Sequence, residues 1–194
     1  ILEFTNTKFN NLKFLLLKME RIFSGVKIEC VQGDIASQDG FGVVVNAANS
    51  QLRMGGGVAG AIHRAAGSEL EEECRALAPI KPGEAVITSA YNLPNSYVVH
   101  CLGPIYGVDK LEDELLAKCY QCALQLADEK RVYSIAFPAI STGAFGYPIE
   151  EAAEVAIRTI RDMIPQLKYV REIRFVLHSK KDLEVFEKSL KRII

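Results

Sequence analysis

The sequence contains no tryptophan, no long apolar run and almost no net charge, which is -1 at neutral pH. A membrane span needs roughly 18 consecutive apolar residues and a signal-peptide core about 7, whereas the apolar run nearest the N-terminus is the short stretch FLLL at 14–17. We therefore expect neither a membrane segment nor export. A net charge near zero provides no global positive field that would recruit nucleic acid or an anionic membrane, so neither is expected as a partner.

The five cysteines are too scattered for the disulfide framework of a small secreted protein. An odd number of thiols in a chain of this size indicates reduced cysteines and a cytoplasmic protein. One pair, Cys119 and Cys122, has the spacing of a redox or zinc half-site. No second pair completes a metal shell, and the helical period places both thiols on one face with Leu111, Leu115 and Leu126. We expect that face to be buried and the thiols to serve packing.

The chain length of 194 residues suits one domain with a full core and is too short for two large ones. Short apolar runs bounded by Gly, Pro, Asn or Asp predict six strands, at 26–32, 42–48, 84–91, 97–103, 133–140 and 172–178. Helical periodicity predicts helices at 57–77, 111–129, 149–163 and 181–192. Several strands are apolar on both faces, so helices should cover the sheet on both sides.

The expected fold class is therefore α/β, a three-layer α/β/α domain over 23–194 with a central mixed sheet of about six or seven strands. Residues 1–22 form an N-terminal extension of uncertain status.

Two glycine-rich loops follow predicted strands and precede predicted helices. The first is RMGGG at 53–57 and the second is STGAFGYP at 141–148. Glycine lets backbone amides turn toward a ligand, and a helix N-terminus adds a partial positive charge, so both loops are candidate phosphate cradles. Either loop alone is equally well explained as a plain turn. Two such loops on one sheet suggest a diphosphate.

The familiar nucleotide-binding motifs do not fit these loops. Gly55, Gly57 and Gly60 match G-x-G-x-x-G, but the pattern begins well after the strand, and no acidic residue ends the strand at 84–91 to bind a ribose. The pattern G-x-x-x-x-G-K-[ST] does not occur. A dinucleotide-dependent dehydrogenase and a P-loop kinase or ATPase are both disfavoured.

Four blocks of the sequence together carry a family resemblance. They are QGDI (32–35), VVNAAN with MGGGVAGAIHRAAG (44–49 and 54–67), GEAVITSAYNLPNSYVVHCLGP (83–104) and IAFPAISTGAFGYP (135–148). In this order they resemble the macrodomain family, and the resemblance covers roughly 23–186. It is closest to the hydrolytic type, O-acetyl-ADP-ribose deacetylases and mono-ADP-ribosyl hydrolases. The resemblance implies a three-layer α/β/α fold that binds ADP-ribose, without a cofactor.

The resemblance also implies roles for individual residues. Asp34, beside Ile35, would accept a hydrogen bond from the adenine amine, which suits an acceptor-only carboxylate; a turn or helix-cap aspartate is the alternative. Asn49 would bind the distal ribose and orient it for catalysis, while Asn46 would brace the loop. His178 would stack on adenine or lie on the surface. The remaining ligand contacts would come from Gly56, Gly57, Val58, Ser141, Thr142, Gly143, Ala144 and Phe145.

Four further positions carry expectations: two histidines outside the motifs, and two residues that depart from the family pattern. His63 and His100 lack ligand-like spacing, so we expect packing roles for both and no metal site. Ala59 stands where the hydrolytic type has an aspartate that positions water, and Met54 stands where it has a first glycine. We expect ADP-ribose to bind in spite of these departures, whereas the sequence leaves open whether the protein catalyses hydrolysis.

The expected function is binding of ADP-ribose and its derivatives, with weak or specialised hydrolysis at the distal ribose of a mono-ADP-ribosyl protein or of O-acetyl-ADP-ribose. No strong nucleophile lies near the loops, so a water held by the substrate's own phosphate would attack while Asn49 orients the ribose. The alternatives are a non-catalytic ADP-ribose-binding module and a phosphatase of ADP-ribose 1″-phosphate. The sequence indicates neither the cellular substrate nor the oligomeric state.

Overall fold

The computed structural model describes residues 19–194. Seven strands form: β1 (Met19–Phe23), β2 (Val26–Gln32), β3 (Val43–Ala47), β4 (Ala85–Ser89), β5 (Tyr97–Cys101), β6 (Ser134–Phe137) and β7 (Glu172–Leu177). Five α-helices accompany them: α1 (Gly57–Ala66), α2 (Ser68–Leu77), α3 (Glu112–Glu129), α4 (Ile149–Met163) and α5 (Lys180–Ile193). A 3-10 turn at Ile164–Gln166 follows α4. All six predicted strands are present, and β1 is an additional one.

All seven strands join one sheet in the order β1-β2-β7-β6-β3-β5-β4. The five inner strands run parallel, while β1 and β4 pair antiparallel at the two edges. The expected mixed sheet is confirmed. The carboxyl ends of the parallel strands lie along one end of the sheet, where open α/β folds bind ligands. β1 falls at the end of the predicted N-terminal extension, and residues 1–18 of that extension lie outside the described residues.

Successive residues of the central strand β3 face opposite helical layers. Val43 and Val45 lie in a core shared with α3, α4 and α5, whereas Val44 lies in a core shared with α1 and α2. β-Branched side chains suit a pleated strand that is buried on both sides. This alternation confirms the three-layer α/β/α arrangement. The larger core contains a cluster of aromatic rings with centroids 5.0–6.3 Å apart, formed by Tyr120, Phe137, Phe175 and Phe186.

Two helix boundaries differ from the expectation. The helix predicted at 57–77 is two helices, because Gly67 between them has φ +95°, which lies outside the helical range. α3 begins only after Leu111, which is left-handed with φ +59° and is 67% exposed. Leu111 therefore does not join the buried face that the helical period predicted. The buried residues of α3 are Leu116, Cys119, Tyr120, Ala123, Leu124 and Ala127.

The five cysteines are all free thiols within the described part of the chain. Cys119 is buried and its Sγ donates to the carbonyl of Leu102 at 3.3 Å, while Cys122 is half-buried. The burial of Cys119 confirms the packing role predicted for that thiol. Within residues 19–194, no helix combines the length and the hydropathy of a membrane span.

Candidate functional site

A cavity of about 290 Å³ lies at the carboxyl end of the parallel strands. One wall is the glycine-rich loop after β3 with the start of α1, and the other is the loop after β6. Within residues 19–194 no charged side chain lines the cavity, so an anion bound there would be held by backbone N–H groups and neutral side chains. The lining residues are Ala47, Ala48, Asn49, Gly55, Gly56, Gly57, Val58, Ala59, Gly103, Ala139, Ile140, Ser141, Gly143, Ala144 and Phe145.

The N-cap and the first turn of α1, from Gly56 to Ala59, line the cavity. Gly56 is the N-cap residue, no side chain caps this helix, and no acidic residue lies in its first turn. The other four α-helices within residues 19–194 each have at least one acidic residue there. A helix N-terminus carries about half a positive charge. At α1 no carboxylate of the first turn complements that charge, which is the arrangement found at anion-binding helix termini.

The second loop contributes to the cavity in a different way. Its own turn is closed by a hydrogen bond from Gly146 N to Gly143 O at 3.0 Å, and α4 begins only at Ile149. Glu150 and Glu151 occupy the first turn of α4 and complement its N-terminal charge. Both loops meet at one cavity, as the sequence indicated. Only the first brings an uncomplemented helix terminus with it.

Two glycines are required because the chain approaches itself closely around the cavity. A Cβ at Gly60 would collide with the carbonyl oxygen of Gly55, so α1 packs directly on the first loop. A Cβ at Gly103 would collide with Oγ of Ser141, so the end of β5 packs directly on the second loop. Gly56 differs, because a Cβ there would meet nothing within 4 Å. The first two glycines hold the walls together, and Gly56 leaves room for a ligand.

Ser141 adds a polar side chain that the sequence did not single out. The sequence predicted only backbone amides from this loop, and in the structure Ser141 is one of the residues of the cavity wall. Its Oγ is buried and has no hydrogen-bond partner within residues 19–194. An unpartnered buried hydroxyl costs roughly 1–3 kcal/mol. The hydroxyl is enclosed by the packing of Gly103 against it and is not open to the cavity.

Asn49 is the residue that braces the first loop. Its Nδ2 donates to Arg53 O at 2.7 Å and its Oδ1 accepts from Arg53 N at 3.1 Å. An amide has two N–H bonds and two acceptor lone pairs, so one of each remains for a ribose. The expectation that Asn46 braces the loop is wrong. Asn46 is fully buried in β3, and its Nδ2 lies 3.1 Å from Nδ1 of His100.

A neutral polar network lies beneath this side of the cavity. His100 of β5 contacts Asn46 through Nδ1 and Oγ1 of Thr88 through Nε2, the latter at 2.9 Å. Burial lowers the pKa of His100 to about 3, so its imidazole is uncharged at neutral pH. His63 of α1 is also buried, and burial lowers its pKa as well. The packing roles predicted for both histidines are confirmed.

His63, Cys74 and His100 come together in the fold, although their spacing in the sequence gave no sign of it. One ligand atom from each lies within 4.8 Å of the others. Donor atoms on a single zinc ion lie about 3.3–3.7 Å apart, given metal–ligand bonds of about 2.0–2.3 Å. Burial raises the pKa of the Cys74 thiol to about 11. Sγ of Cys74 lies 3.7 Å from Nε2 of His100, whereas neither ring nitrogen of His63 has a hydrogen-bond partner within residues 19–194. The three side chains therefore form a buried cluster in which His63 is held by packing alone.

The residues predicted to bind adenine lie at the ends of β2 and β7, outside the cavity lining. These strands are parallel neighbours, and Gly33 N donates to Leu177 O at 3.0 Å. Asp34 and His178 are both exposed. Oδ1 of Asp34 accepts from Ala36 N at 2.9 Å, as a turn aspartate does, but this uses only one of the lone pairs of the carboxylate. Both interpretations of Asp34 are compatible with this geometry.

A second polar network holds Asp34 in place. Arg174 of β7 pairs with the buried Glu29 of β2, with 2.5 Å between Nε and Oε1. Nη1 of Arg174 also donates to Oε1 of Gln38 at 3.0 Å. Gln38 in turn donates from Nε2 to Asp34 O at 2.6 Å. The turn that carries Asp34 is thereby anchored to an ion pair inside the sheet.

The remaining predicted residues divide between the cavity and the core. Ile35 is buried in the smaller core, and Thr142 donates from Oγ1 to Ala139 O at 2.9 Å, so neither lines the cavity. Ala59 lines the cavity wall, whereas Met54 is half-exposed outside the lining. The sequence prediction missed several small lining residues, whose only signal is a lack of bulk close to strand ends. They are Ala47, Ala48, Gly103 and Ala139, whereas Gly55 belongs to the first glycine-rich loop that the sequence indicated.

Comparisons with known proteins agree with this geometry. A family model described as Macro domain matches residues 45–156. A Macro domain-containing protein of Chlorobaculum tepidum is 47% identical over 166 residues, which cover 85% of this chain and 96% of that protein. A Klebsiella pneumoniae protein named O-acetyl-ADP-ribose deacetylase is 44% identical over 170 residues, which cover 85% of this chain and 97% of that protein.

A solved structure gives the same result. The macrodomain of Oceanobacillus iheyensis with ADP superposes with a TM-score of 0.87 at 40% identity, covering 91% of this chain and 96% of that one. The segment matched by the family model spans more than half of the 194 residues and contains both loops of the cavity. On the sequence match, the shared fold and the cavity between the two loops, the chain belongs to the Macro domain family.

Proposed function

We propose that this protein binds ADP-ribose and its derivatives and slowly hydrolyses a bond at the distal ribose. The observation that carries the proposal is the uncomplemented N-terminus of α1 at a cavity without charged side chains. A diphosphate accepts hydrogen bonds from several N–H groups at once, which is what this helix terminus and the two loops offer. The relative named O-acetyl-ADP-ribose deacetylase and the related structure with ADP support this choice of ligand.

The strand order gives the ligand a direction. Adenine lies at the ends of β2 and β7, within reach of Asp34. The diphosphate lies over the ends of β6 and β3, between the two loops, and the distal ribose lies at Asn49 on the side of β5. In this pose the carboxylate of Asp34 accepts from the adenine amine and repels the carbonyl that guanine has at the same edge.

The chemical step uses water rather than a protein nucleophile. In the described part of the chain, neither a cysteine nor a histidine lines the cavity. The remaining N–H and lone pair of Asn49 orient the ribose, and the substrate's own phosphate holds the attacking water. With an ester as substrate, the hydroxyl of that water joins the acyl carbon and its proton goes to the ribose oxygen. The products are ADP-ribose and a free carboxylic acid.

Ala59 supports a second candidate function, a non-catalytic ADP-ribose-binding module. Ala59 lies in the cavity wall and its methyl group can neither donate nor accept a hydrogen bond. A water molecule in this cavity therefore has one hydrogen-bonding partner fewer than it would have if position 59 carried a carboxylate. This is the reason that we propose slow rather than efficient turnover.

The experiment that tests the proposal has a binding arm and a turnover arm. Calorimetric titration should give an affinity for ADP-ribose at least about tenfold higher than for GDP-ribose, since a charge-assisted hydrogen bond is worth about 1.5–3 kcal/mol. Single-turnover release is then measured on a mono-ADP-ribosylated protein and on O-acetyl-ADP-ribose, with Asn49→Ala as the matched variant. Failure to bind ADP-ribose would refute the proposal.

The turnover arm separates the two candidates. Slow release that disappears in Asn49→Ala supports hydrolysis at the distal ribose. Binding without release from either substrate, at any enzyme concentration, supports the binding module. Release of phosphate from ADP-ribose 1″-phosphate, with no release from the other two substrates, would instead support the phosphatase.

A further inference from the structure

Four large apolar side chains are exposed next to the β5 side of the cavity. They belong to residues 105–111, here called the rim loop, which connects β5 to α3. Ile105 is 40% exposed, Tyr106 39%, Val108 71% and Leu111 67%. Single exposed apolar residues are common on any protein. Four of them within seven consecutive residues, beside a ligand cavity, indicate a contact surface.

Hydrogen bonds hold the rim loop against the cavity wall. The N–H of Tyr106 donates to Phe145 O at 2.9 Å, and its hydroxyl donates to Oε2 of Glu151 at 3.3 Å. Within the loop, Ile105 N donates to Oδ2 of Asp109 at 2.7 Å. Because Phe145 itself lines the cavity, the rim loop lies directly beside the cavity wall.

Leu111 combines two features for which the fold gives no reason, a left-handed backbone and an exposed apolar side chain. Its backbone is left-handed, with φ +59° and ψ 45°, a conformation that L-residues other than Asn and Gly rarely adopt. Its side chain does not cap α3, and at 67% exposure it gains little from burial. An exposed leucine on a strained backbone suggests a use outside the fold itself.

Carboxylates surround the rim loop and restrict what can bind to it. Lys110 is the only cationic residue of the loop. An anionic surround disfavours a phosphate or an acidic polypeptide and favours a cationic one. The rim loop is therefore not a continuation of the diphosphate site. The acidic residues in the adjoining first turns of α3 and α4 are Glu112, Asp113, Glu114, Glu150 and Glu151.

We propose that the rim loop binds the polypeptide that carries the ADP-ribosyl group, through apolar and basic side chains next to the modified residue. This inference rests on the proposed function, because the distal ribose at Asn49 lies on the side of β5 and a polypeptide attached to it leaves the cavity past the rim loop. ADP-ribose fills the cavity while the polypeptide covers Val108 and Leu111. A small ester such as O-acetyl-ADP-ribose reaches the cavity alone.

The test uses two synthetic peptides of equal length, each joined to ADP-ribose through a non-hydrolysable linkage. One has leucine and lysine on both sides of the modified position, and the other has serine and aspartate. The affinities of both peptides and of free ADP-ribose are measured for the full chain and for the double variant Val108→Ser, Leu111→Asn. Asparagine suits the left-handed conformation at position 111, so this variant should fold at least as well as the parent chain.

The matched control is Ile22→Ser. Ile22 is 74% exposed on β1, at the edge of the sheet away from β5. This variant removes a comparable exposed apolar side chain that lies far from the rim loop, so it should bind all three ligands like the parent chain.

We expect the leucine and lysine peptide to bind the parent chain about fivefold or more tighter than free ADP-ribose, since it buries apolar surface that free ADP-ribose leaves exposed. The double variant should bind this peptide with the affinity of free ADP-ribose, and free ADP-ribose should bind both proteins alike. The aspartate peptide should bind no tighter than ADP-ribose.

Three results would overturn the inference. Equal affinity of the parent chain for both peptides and for free ADP-ribose would leave the proposed function intact and remove the rim loop from it. An equal loss of affinity for all ligands in the double variant would mean that the rim loop acts on the cavity instead of on the polypeptide. Self-association of the parent chain in sedimentation, absent from the double variant, would assign the surface to a second copy. If ADP-ribose itself fails to bind, both the proposed function and the inference that rests on it are refuted.

Discussion

The ligand-binding end of the sheet has an enclosed half, at β6, β3 and β5, and an open half, at β2 and β7. In the enclosed half, glycines and alanines line a cavity, and the side chains beneath it, Asn46 and His100, are neutral and fully buried. In the open half, Asp34 is exposed and is held through Gln38 by the ion pair of Arg174 with Glu29.

The difference suggests a division of labour between the two halves. The enclosed half presents backbone N–H groups and neutral side chains, which suit the diphosphate and ribose that all ADP-ribosyl compounds share. The open half presents the carboxylate of Asp34, which in the proposed function would distinguish one base from another. The enclosed half should therefore determine affinity and the open half specificity. The first and last predictions below test that division, and the two between them concern the stability and the catalytic step of the enclosed half.

The largest effect should come from Gly56→Glu in the enclosed half. A side chain at this position meets nothing within 4 Å and the backbone φ is -84°, so the fold should persist. The new carboxylate would lie against the diphosphate, where like charges cost several kcal/mol, and ADP-ribose should bind at least about 100-fold more weakly. Gln51→Glu, which adds the same charge at a nearby exposed position, is the control. Calorimetry and circular dichroism measure binding and fold; a folded Gly56→Glu with normal affinity would show the first loop to be an ordinary turn.

The next effect concerns the buried histidine beneath the enclosed half. Burial holds the pKa of His100 near 3, from an ordinary 6.5. As the pH falls below 6.5, the histidine becomes protonated in the unfolded chain but stays neutral in the folded chain. The free energy of unfolding therefore decreases between pH 6.5 and about 3. At pH 5 this amounts to about 2 kcal/mol relative to neutral pH.

Urea unfolding at pH 7.5 and pH 5 checks this effect. The loss of stability should be smaller by about that amount in His100→Gln, which has no titrating side chain. Gln38→Leu, in the network of the open half, should keep the pH dependence of the parent chain. If the free energy of unfolding fell by the same amount between pH 7.5 and pH 5 in the parent chain and in His100→Gln, this histidine would not control the acid sensitivity.

A third effect separates binding from catalysis within the enclosed half. Ala59→Asp places a carboxylate in the cavity wall, where it can orient water. The single-turnover rate of ADP-ribose release should rise on the order of tenfold, with little change in affinity, as for an interaction made mainly in the transition state. An unchanged rate would mean that Ala59 does not limit water positioning.

The smallest effect is expected in the open half. Asp34→Ala removes one charge-assisted hydrogen bond at an exposed position, so affinity for ADP-ribose should fall about tenfold. The preference over GDP-ribose should disappear with it. Equal affinities of the variant and the parent chain for ADP-ribose in a calorimetric titration would remove Asp34 from the site.

Most of the fold was predictable because its signals are local. The strands β2 to β7 are short β-branched or apolar runs with clear boundaries, and the second glycine loop ends at a helix with glutamates in its first turn. The errors arose where tertiary contacts decide. Periodicity alone could not reveal that α3 begins after Leu111, nor that Gly67 divides the helix predicted at 57–77.

The site was predictable to the extent that its residues stand next to each other in the sequence. The glycine loops and the family blocks pointed to Asn49 and Phe145, and both line the cavity. That Asn49 and not Asn46 braces the first loop depends on the contact of Asn46 with His100 inside the sheet, and the unpartnered hydroxyl of Ser141 depends on the packing of Gly103 against it. Such contacts join residues far apart in the sequence, so no local pattern contains them.

The burial of the native thiols makes the chain convenient for site-specific labelling. Four of the five cysteines are buried and Cys122 is half-buried, and burial raises the pKa of Cys30, Cys74 and Cys122. Only the thiolate reacts with a maleimide, so these residues should react slowly at neutral pH. A single cysteine placed at the exposed position 108 would be labelled first, without removal of any native thiol. A dye attached there would signal the arrival of a peptide directly, through its fluorescence.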